Sequence, residues 1–333
     1  MEKRLGFCFL TFADISFEAM GEVTKYAEEN GFDRAYTTES LTDTFAINMV
    51  MAMKTKTIEV GSFIAIIYLR HPYITAQAAT TISDISNGRF VLGLGLGHPP
   101  RNAAMNIQTG KPTVDLRNYV SEVKGLLNGE NVYPDLPVQT YQGKVLGFKK
   151  PKQEVPVFTA AVGPRMTKLS GEISDGIMLY MVPQSRIKKL VDLKNEGALE
   201  KKRDPLSVKV DLGIHTFFSE DLQLARDKAR ETLTYWLGLP AYNQSIRESG
   251  FVKEADLISK AFLENDQKGI SSNITDELID QFCLVGPRGR CLEKLDALRG
   301  EGVDLPVLMI DPVEIGESYE AALRRTISGL SPK

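Results

Sequence analysis

Ile58-Glu-Val-Gly-Ser-Phe-Ile-Ala-Ile-Ile67, followed by Tyr-Leu-Arg-His-Pro72 and, after a polar helical stretch, by Gly88-Arg-Phe-Val-Leu-Gly-Leu-Gly-Leu-Gly-His98, decides the fold. The runs 58–67 and 89–96 are apolar on both faces, as in strands of a parallel sheet covered on both sides. Between them, Pro72–Ser86 has helical spacing, with proline in the first turn and Asn87-Gly88 after the last. Polar residues come after each strand, at Arg70-His71 and at Gly97-His98. In a parallel barrel that is the end where binding residues collect. The stretch therefore predicts both the architecture and the active face.

The same alternation continues outward. Further strands are predicted at 5–10, 34–38, 155–161, 176–181, 206–218 and 305–310. Helices are predicted at 17–30, 44–54, 114–128, 164–173, 184–196, 222–237 and 291–298. Gly31 and Gly197 are placed to end the helices before them, and a small hairpin is expected around 141–148. Residues from about 238 to 282 are charged, helical in pattern and without strand signals. Eight strand–helix turns predict an α/β protein, a (β/α)8 TIM barrel with a helical insertion after strand seven, in a single domain over 1–333.

Composition narrows the class of function. The chain has 333 residues, 43% hydrophobic and 25% charged, with a net charge of −3, so no basic footprint for nucleic acid or an anionic membrane is present. The apolar run at 8–11 is far too short for a signal peptide, and no stretch approaches the roughly 20 apolar residues of a membrane span. Cys8, Cys283 and Cys291 form no C-x-x-C pair. A cytoplasmic enzyme acting on a small molecule, without nucleic acid or membrane partners, is expected.

Several motifs invite chemistry. Gly93-Leu-Gly-Leu-Gly97 lacks the G-x-G-x-x-G spacing of a dinucleotide fingerprint, and His98-Pro-Pro-Arg101 is read as unable to enter a helix at once. The glycines instead allow close approach of backbone or of a flat ligand at a strand end. Ala161-Val-Gly-Pro-Arg165 joins strand five to its helix; its free backbone N–H groups and Arg165 make an anion site. His71, His98 and His215 each fall near a strand's C-terminal end, so a three-histidine metal site is conceivable, but no H-x-H or H-E-x-x-H pairing supports one. His98 is the best placed of the three for proton transfer. Glu39, after strand two, is placed to accept from a ligand ring N–H or to position a proton. Ser40 or Asp43 caps the next helix, and Met49, Met51 and Met53 read as helix packing.

Taken together, these segments resemble the bacterial luciferase-like superfamily, and most of all its deazaflavin-dependent branch, typified by methylenetetrahydromethanopterin reductase. The resemblance is carried by Thr38-Glu-Ser40, by Gly61-Ser-Phe-Ile with Arg70-His-Pro72, by Gly88 to Gly97, by Ala160-Ala-Val-Gly-Pro164 with Gly171-Glu-Ile-Ser-Asp-Gly176, and by Gly286-Pro287 to Asp304. It implies a homodimeric barrel with coenzyme F420, or alternatively FMN, in its mouth. It also implies a non-prolyl cis peptide at Phe63–Ile64 backing the ring, and phosphate on Ala161, Val162 and Gly163 beside Arg165. Thr38, Glu39, Gly95 and Gly97 complete the expected cofactor site, with His98 and Glu39 as catalytic candidates and no metal ligands. The chain departs from the branch in having Glu39-Ser40 where several members have Asp-His, and His98 where a carboxylate is common. Both departures touch proton transfer. The resemblance implies hydride transfer between reduced coenzyme F420 and a small organic substrate. The alternatives are an FMN-dependent monooxygenase, a flavin-binding barrel without turnover, and a metal-dependent hydrolase.

Overall fold

The computed structural model describes residues 3–11, 13–133, 140–141, 144–145 and 148–333. Eight parallel strands follow one another around a closed barrel in chain order: β1 (Gly6–Phe9), β2 (Arg34–Thr37), β3 (Glu59–Ser62), β4 (Phe90–Gly95), β5 (Val157–Ala160), β6 (Gly176–Tyr180), β7 (Lys209–Phe218) and β8 (Leu305–Ile310). The ring closes at Val307, paired with Gly213 of β7 on one side and Gly6 of β1 on the other. Helices cover the outside and side-chain layers fill the inside, so both faces of each strand leave water. Phe7, Phe9, Tyr36, Phe90 and Leu92 are fully buried. Gly93 has no room for a side chain, since a Cβ there would lie 2.1 Å from the Ser62 carbonyl oxygen.

The floor of the barrel is charged. Arg34 donates to Asp211 at 2.7 Å, the Tyr36 hydroxyl donates to the same carboxylate oxygen at 2.6 Å, and Glu59 receives Arg34 Nε at 2.8 Å. Burial holds the Asp211 carboxyl above its ordinary range despite Arg34 beside it. These residues sit at or near the starts of β2, β3 and β7, the end of a barrel concerned with stability.

The structure departs from the sequence reading in several places. The third strand does not run unbroken over 58–67. It ends at Ser62 and resumes as Ala65–Ile66 against Leu94–Gly95 of β4. Pro99–Ala104 is a helix that begins directly after His98; prolines fit its first turn because the N–H groups they lack have no partner there in any case. Gly197 does not end its helix, which runs through it as Gln184–Glu200. Its lack of a Cβ lets the helix press on Pro164–Ile173, where a Cβ would lie 2.0 Å from the Lys168 carbonyl oxygen. Among the three methionines read as packing, Met51 is buried but Met53 is exposed. Finally, Cys283–Gly286 is an additional short strand, parallel to the last four residues of β7.

The insertion is helical as expected. Pro240–Glu248, Val252–Leu263, Gln267–Ser272 and Asp276–Phe282 follow Leu222–Leu237. They bury a second apolar cluster that includes Phe217, Leu233, Tyr242, Ile258 and Phe282. The hairpin is present as Thr140–Tyr141 against Lys144–Val145; the rest of that predicted segment up to 147 lies outside the described residues. A closing helix, Tyr319–Gly329, had no counterpart in the sequence reading.

Candidate active site at the barrel mouth

The break in the third strand shapes the site. The Phe63–Ile64 peptide bond is cis, at the position the resemblance implied. Phe63 turns into the barrel, its ring 5.4 Å from Tyr36 and edge-on. Ile64 faces β4 and β5: a Cβ on Gly95 would lie 2.8 Å from Ile64 and 3.1 Å from the Ala160 Cβ. Glycine is required there for so close an approach.

Glu39 holds this bulge. Its Oε2 accepts the Ile66 backbone N–H at 2.7 Å, and its Oε1 meets Arg70 at 2.5 Å. Arg70 also pairs with Asp43 at 2.9 Å and lies over the Phe45 ring. Asp43 is the cap of Thr44–Lys54. Both oxygens of Glu39 are therefore engaged, and the ligand-facing role expected for it competes with two existing bonds. Thr38 is also engaged, its hydroxyl 2.9 Å from that of Thr11.

His98 stands exposed at the rim, where Gly97 turns the chain with φ 70°. Its ring lies 5.7 Å from Trp236, the penultimate residue of Leu222–Leu237. Partial burial there, and secondarily the Arg101 guanidinium, hold the imidazole below its ordinary pKa. Arg101 donates to the carbonyls of Glu39 and Ser40, tying the short helix after β4 to the end of β2.

The loop expected to hold an anion offers one backbone N–H fewer than expected. Ala161 donates its N–H to the Met178 carbonyl at 3.1 Å, extending the β5–β6 ladder, so it has none to offer a phosphate. The first bond of Pro164–Ile173 runs from Thr167 to Gly163. The N–H groups of Val162, Gly163, Arg165 and Met166 precede it and are left to an external acceptor. Val162 and Arg165 are exposed, and a Cβ on Gly163 would meet nothing within 4 Å.

The three histidines do not converge. His71 Nδ1 accepts the Tyr73 N–H at 3.2 Å, capping its helix. His215 is buried, with Nδ1 2.7 Å from Asp311 and Nε2 2.7 Å from the Tyr180 hydroxyl. Among the described residues no group of three or more His, Cys, Asp or Glu could hold a metal ion. Tyr180, Asp311 and Trp236 were missed in the sequence. Tyr180 ends β6 and Asp311 directly follows β8, so the signal that singled out His98, a functional group at a strand's C-terminal end, applies to both.

A closed parallel barrel with polar groups, a bulged third strand and an open helix N-terminus gathered at one end defines a (β/α)8 protein whose binding face is the mouth of the barrel. The chain belongs to the luciferase-like monooxygenase family, whose model matches residues 5–305. It is 28% identical over 306 residues to 5,10-methylenetetrahydromethanopterin reductase of Methanolobus tindarius, covering 90% of this chain and 91% of that one. Its likeness to the reductase of the same name from Archaeoglobus fulgidus is also 28%, covering 87% and 89%. The solved coenzyme F420 dependent tetrahydromethanopterin reductase from Methanopyrus kandleri superposes with a TM-score of 0.80 at 22% identity, covering 100% of this chain and 99% of that one. The oxygenating constituent of 3,6-diketocamphane monooxygenase from Pseudomonas putida, in complex with FMN, superposes at 0.65 with 16% identity and the same coverage. At such identities the structural likeness shows the fold alone. No helix among the described residues is long and apolar enough to cross a membrane.

Proposed function

We propose that the protein transfers a hydride between reduced coenzyme F420 and a small organic substrate. The observation that supports this is the bulge after β3, where the Ile64 side chain lies so close to Gly95 that no side chain fits between them. That arrangement offers a flat apolar wall to a planar ring. The residues fit such a coenzyme: Ile64, Gly95 and Gly97 at the ring, Phe63 and Thr38 behind it, and the N–H groups of Val162 and Gly163 with Arg165 at the phosphate. Bound there, a deazaflavin supplies a carbon at ring position five that gives or takes a hydride, whereas FMN has a nitrogen that admits oxygen chemistry.

The chain's own part is to orient, to exclude water and to handle a proton. Glu39 anchors the bulge through Ile66 and Arg70. His98, held below its ordinary pKa, is neutral near pH 7 and can accept a proton at the rim. Trp236 brings the helix that leads into the insertion against His98, which narrows the mouth. We further read the chain as one domain and as a cytoplasmic homodimer, acting on a small molecule rather than on nucleic acid or membrane.

An anaerobic screen tests the reading. Protein loaded with reduced coenzyme F420 is offered imines, carbonyls and activated alkenes, and return of the oxidised absorbance is followed. Substrate-dependent oxidation without oxygen supports hydride transfer. Turnover only with FMN and oxygen contradicts it.

A further inference from the structure

Behind the rim lies a chain of three groups to which the proposed hydride transfer assigns no role. Asp311 Oδ2 is 2.7 Å from His215 Nδ1, and His215 Nε2 is 2.7 Å from the Tyr180 hydroxyl. The three come from different elements: the residue after β8, the middle of β7 and the last residue of β6. His215 is 2% exposed, whereas Tyr180 is only partly covered. Tyr180 also meets Trp236 edge-on at 5.6 Å, and Trp236 in turn meets His98. Trp236 thus links the Tyr180 ring to the His98 ring at the rim.

The hydrogen-bond inventory sets the direction. A carboxylate only accepts, so His215 carries its proton on Nδ1, and Nε2 is left as the acceptor for the Tyr180 O–H. The phenol oxygen has lone pairs that this bond leaves unused. Burial raises the Tyr180 hydroxyl well above its ordinary pKa, so it stays protonated at neutral pH.

We propose that Tyr180, His215 and Asp311 form a proton relay, with the Tyr180 hydroxyl touching the substrate, and that the carbon exchanging hydride therefore bears an oxygen or nitrogen: an alcohol–carbonyl or amine–imine pair. In the oxidising direction the substrate O–H or N–H gives its proton to Tyr180 Oη, whose own proton passes to His215 Nε2. The imidazolium so formed is stabilised by Asp311. The two electrons leave separately, as the hydride taken by the oxidised deazaflavin, so charge and protons balance; reduction runs the same path backwards. Tyr180 is the catalytic residue, and His215 and Asp311 are positioning residues. This rests on the hydride-transfer reading above.

Two measurements test it. In the first, protein labelled with 15N-histidine, which has three histidines, is examined by NMR, with His215→Gln assigning the signal. The relay requires protonated Nδ1 and bare Nε2 on neutral His215, and an Nε2 signal that moves in Tyr180→Phe. A proton on Nε2, or an Nε2 signal indifferent to Tyr180→Phe, overturns the relay whatever the cofactor is. In the second, protein loaded with oxidised coenzyme F420 is given a panel of primary and secondary alcohols and amines, and bleaching is followed in light and heavy water. The expected result is reduction of the bound coenzyme with a solvent isotope effect. Tyr180→Phe lowers kcat and kcat/KM together by about 10²–10³-fold and removes the isotope effect, with coenzyme affinity unchanged. Asp311→Asn shows the same loss in lesser degree, and its isotope effect also falls. A role in packing alone leaves the isotope effect in place and overturns the proposal, as does a loaded protein bleached by none of the panel. A protein that shows the expected His215 signals but does not bind the deazaflavin overturns the hydride-transfer reading instead.

Discussion

Glu39 Oε2 accepts the backbone N–H of Ile66 at 2.7 Å, joining the end of β2 to the chain two residues beyond the cis peptide. One carboxylate therefore positions the wall on which the cofactor ring is proposed to lie. Glu39→Ala leaves the Ile66 N–H without its buried acceptor and Arg70 Nη2 with Asp43 alone. A stability loss of about 2–4 kcal/mol is expected in urea denaturation, together with at least a tenfold rise in coenzyme Kd. Retained stability and affinity would show that the bulge holds itself.

The proposed anion site makes a second prediction. Arg165→Gln removes one exposed cation beside four unbonded N–H groups, so the loss should be modest, about five- to tenfold in coenzyme Kd. Raising the ionic strength should weaken the wild type more than the variant. Isothermal titration at two salt concentrations checks both.

His98 gives a prediction in pH. Its folded pKa lies below the ordinary value of 6.5 because of partial burial and, second, Arg101. Between the folded value and 6.5 the unfolded chain binds more protons, so the contribution of His98 to stability falls as pH drops through that window. Arg101→Gln should raise the His98 titration midpoint in an NMR titration. His98→Ala should remove the acidic limb of the turnover profile. Full turnover of His98→Ala at every pH would end its acid–base role.

The barrel floor is expected to separate stability from function. Asp211→Ala leaves Arg34 buried with only the partly exposed Glu59 as a charged partner. The cost should be about 3–5 kcal/mol in denaturant unfolding, in line with breaking a buried pair. Coenzyme affinity measured below the transition should stay unchanged, because the pair lies at the opposite end of the strands.

Most of the architecture was legible because a parallel barrel writes itself as short two-sided apolar runs with helices between them. Seven of the eight strands needed only that pattern. The third was harder: 58–67 is apolar throughout, and nothing in its periodicity shows that backbone pairing stops at Ser62 and restarts at Ala65; only the family resemblance pointed to Phe63–Ile64. Gly197 was misread because a glycine that ends a helix and one that admits a neighbouring helix look alike in sequence. The site was legible one residue at a time, as groups at strand ends. What could not be read was pairing. Glu39 with Ile66 and Arg70, and His215 with Asp311, join positions far apart in the chain, so a residue's partners, which decide whether it faces a ligand, appear only when the barrel closes.

The most direct test is an absorbance and fluorescence titration of the purified protein with coenzyme F420 and, separately, with FMN. The account predicts saturable binding of the deazaflavin, weakened by Arg165→Gln and by Glu39→Ala, and no comparable binding of FMN. Preferential binding of FMN would contradict it and make oxygen the co-substrate to seek.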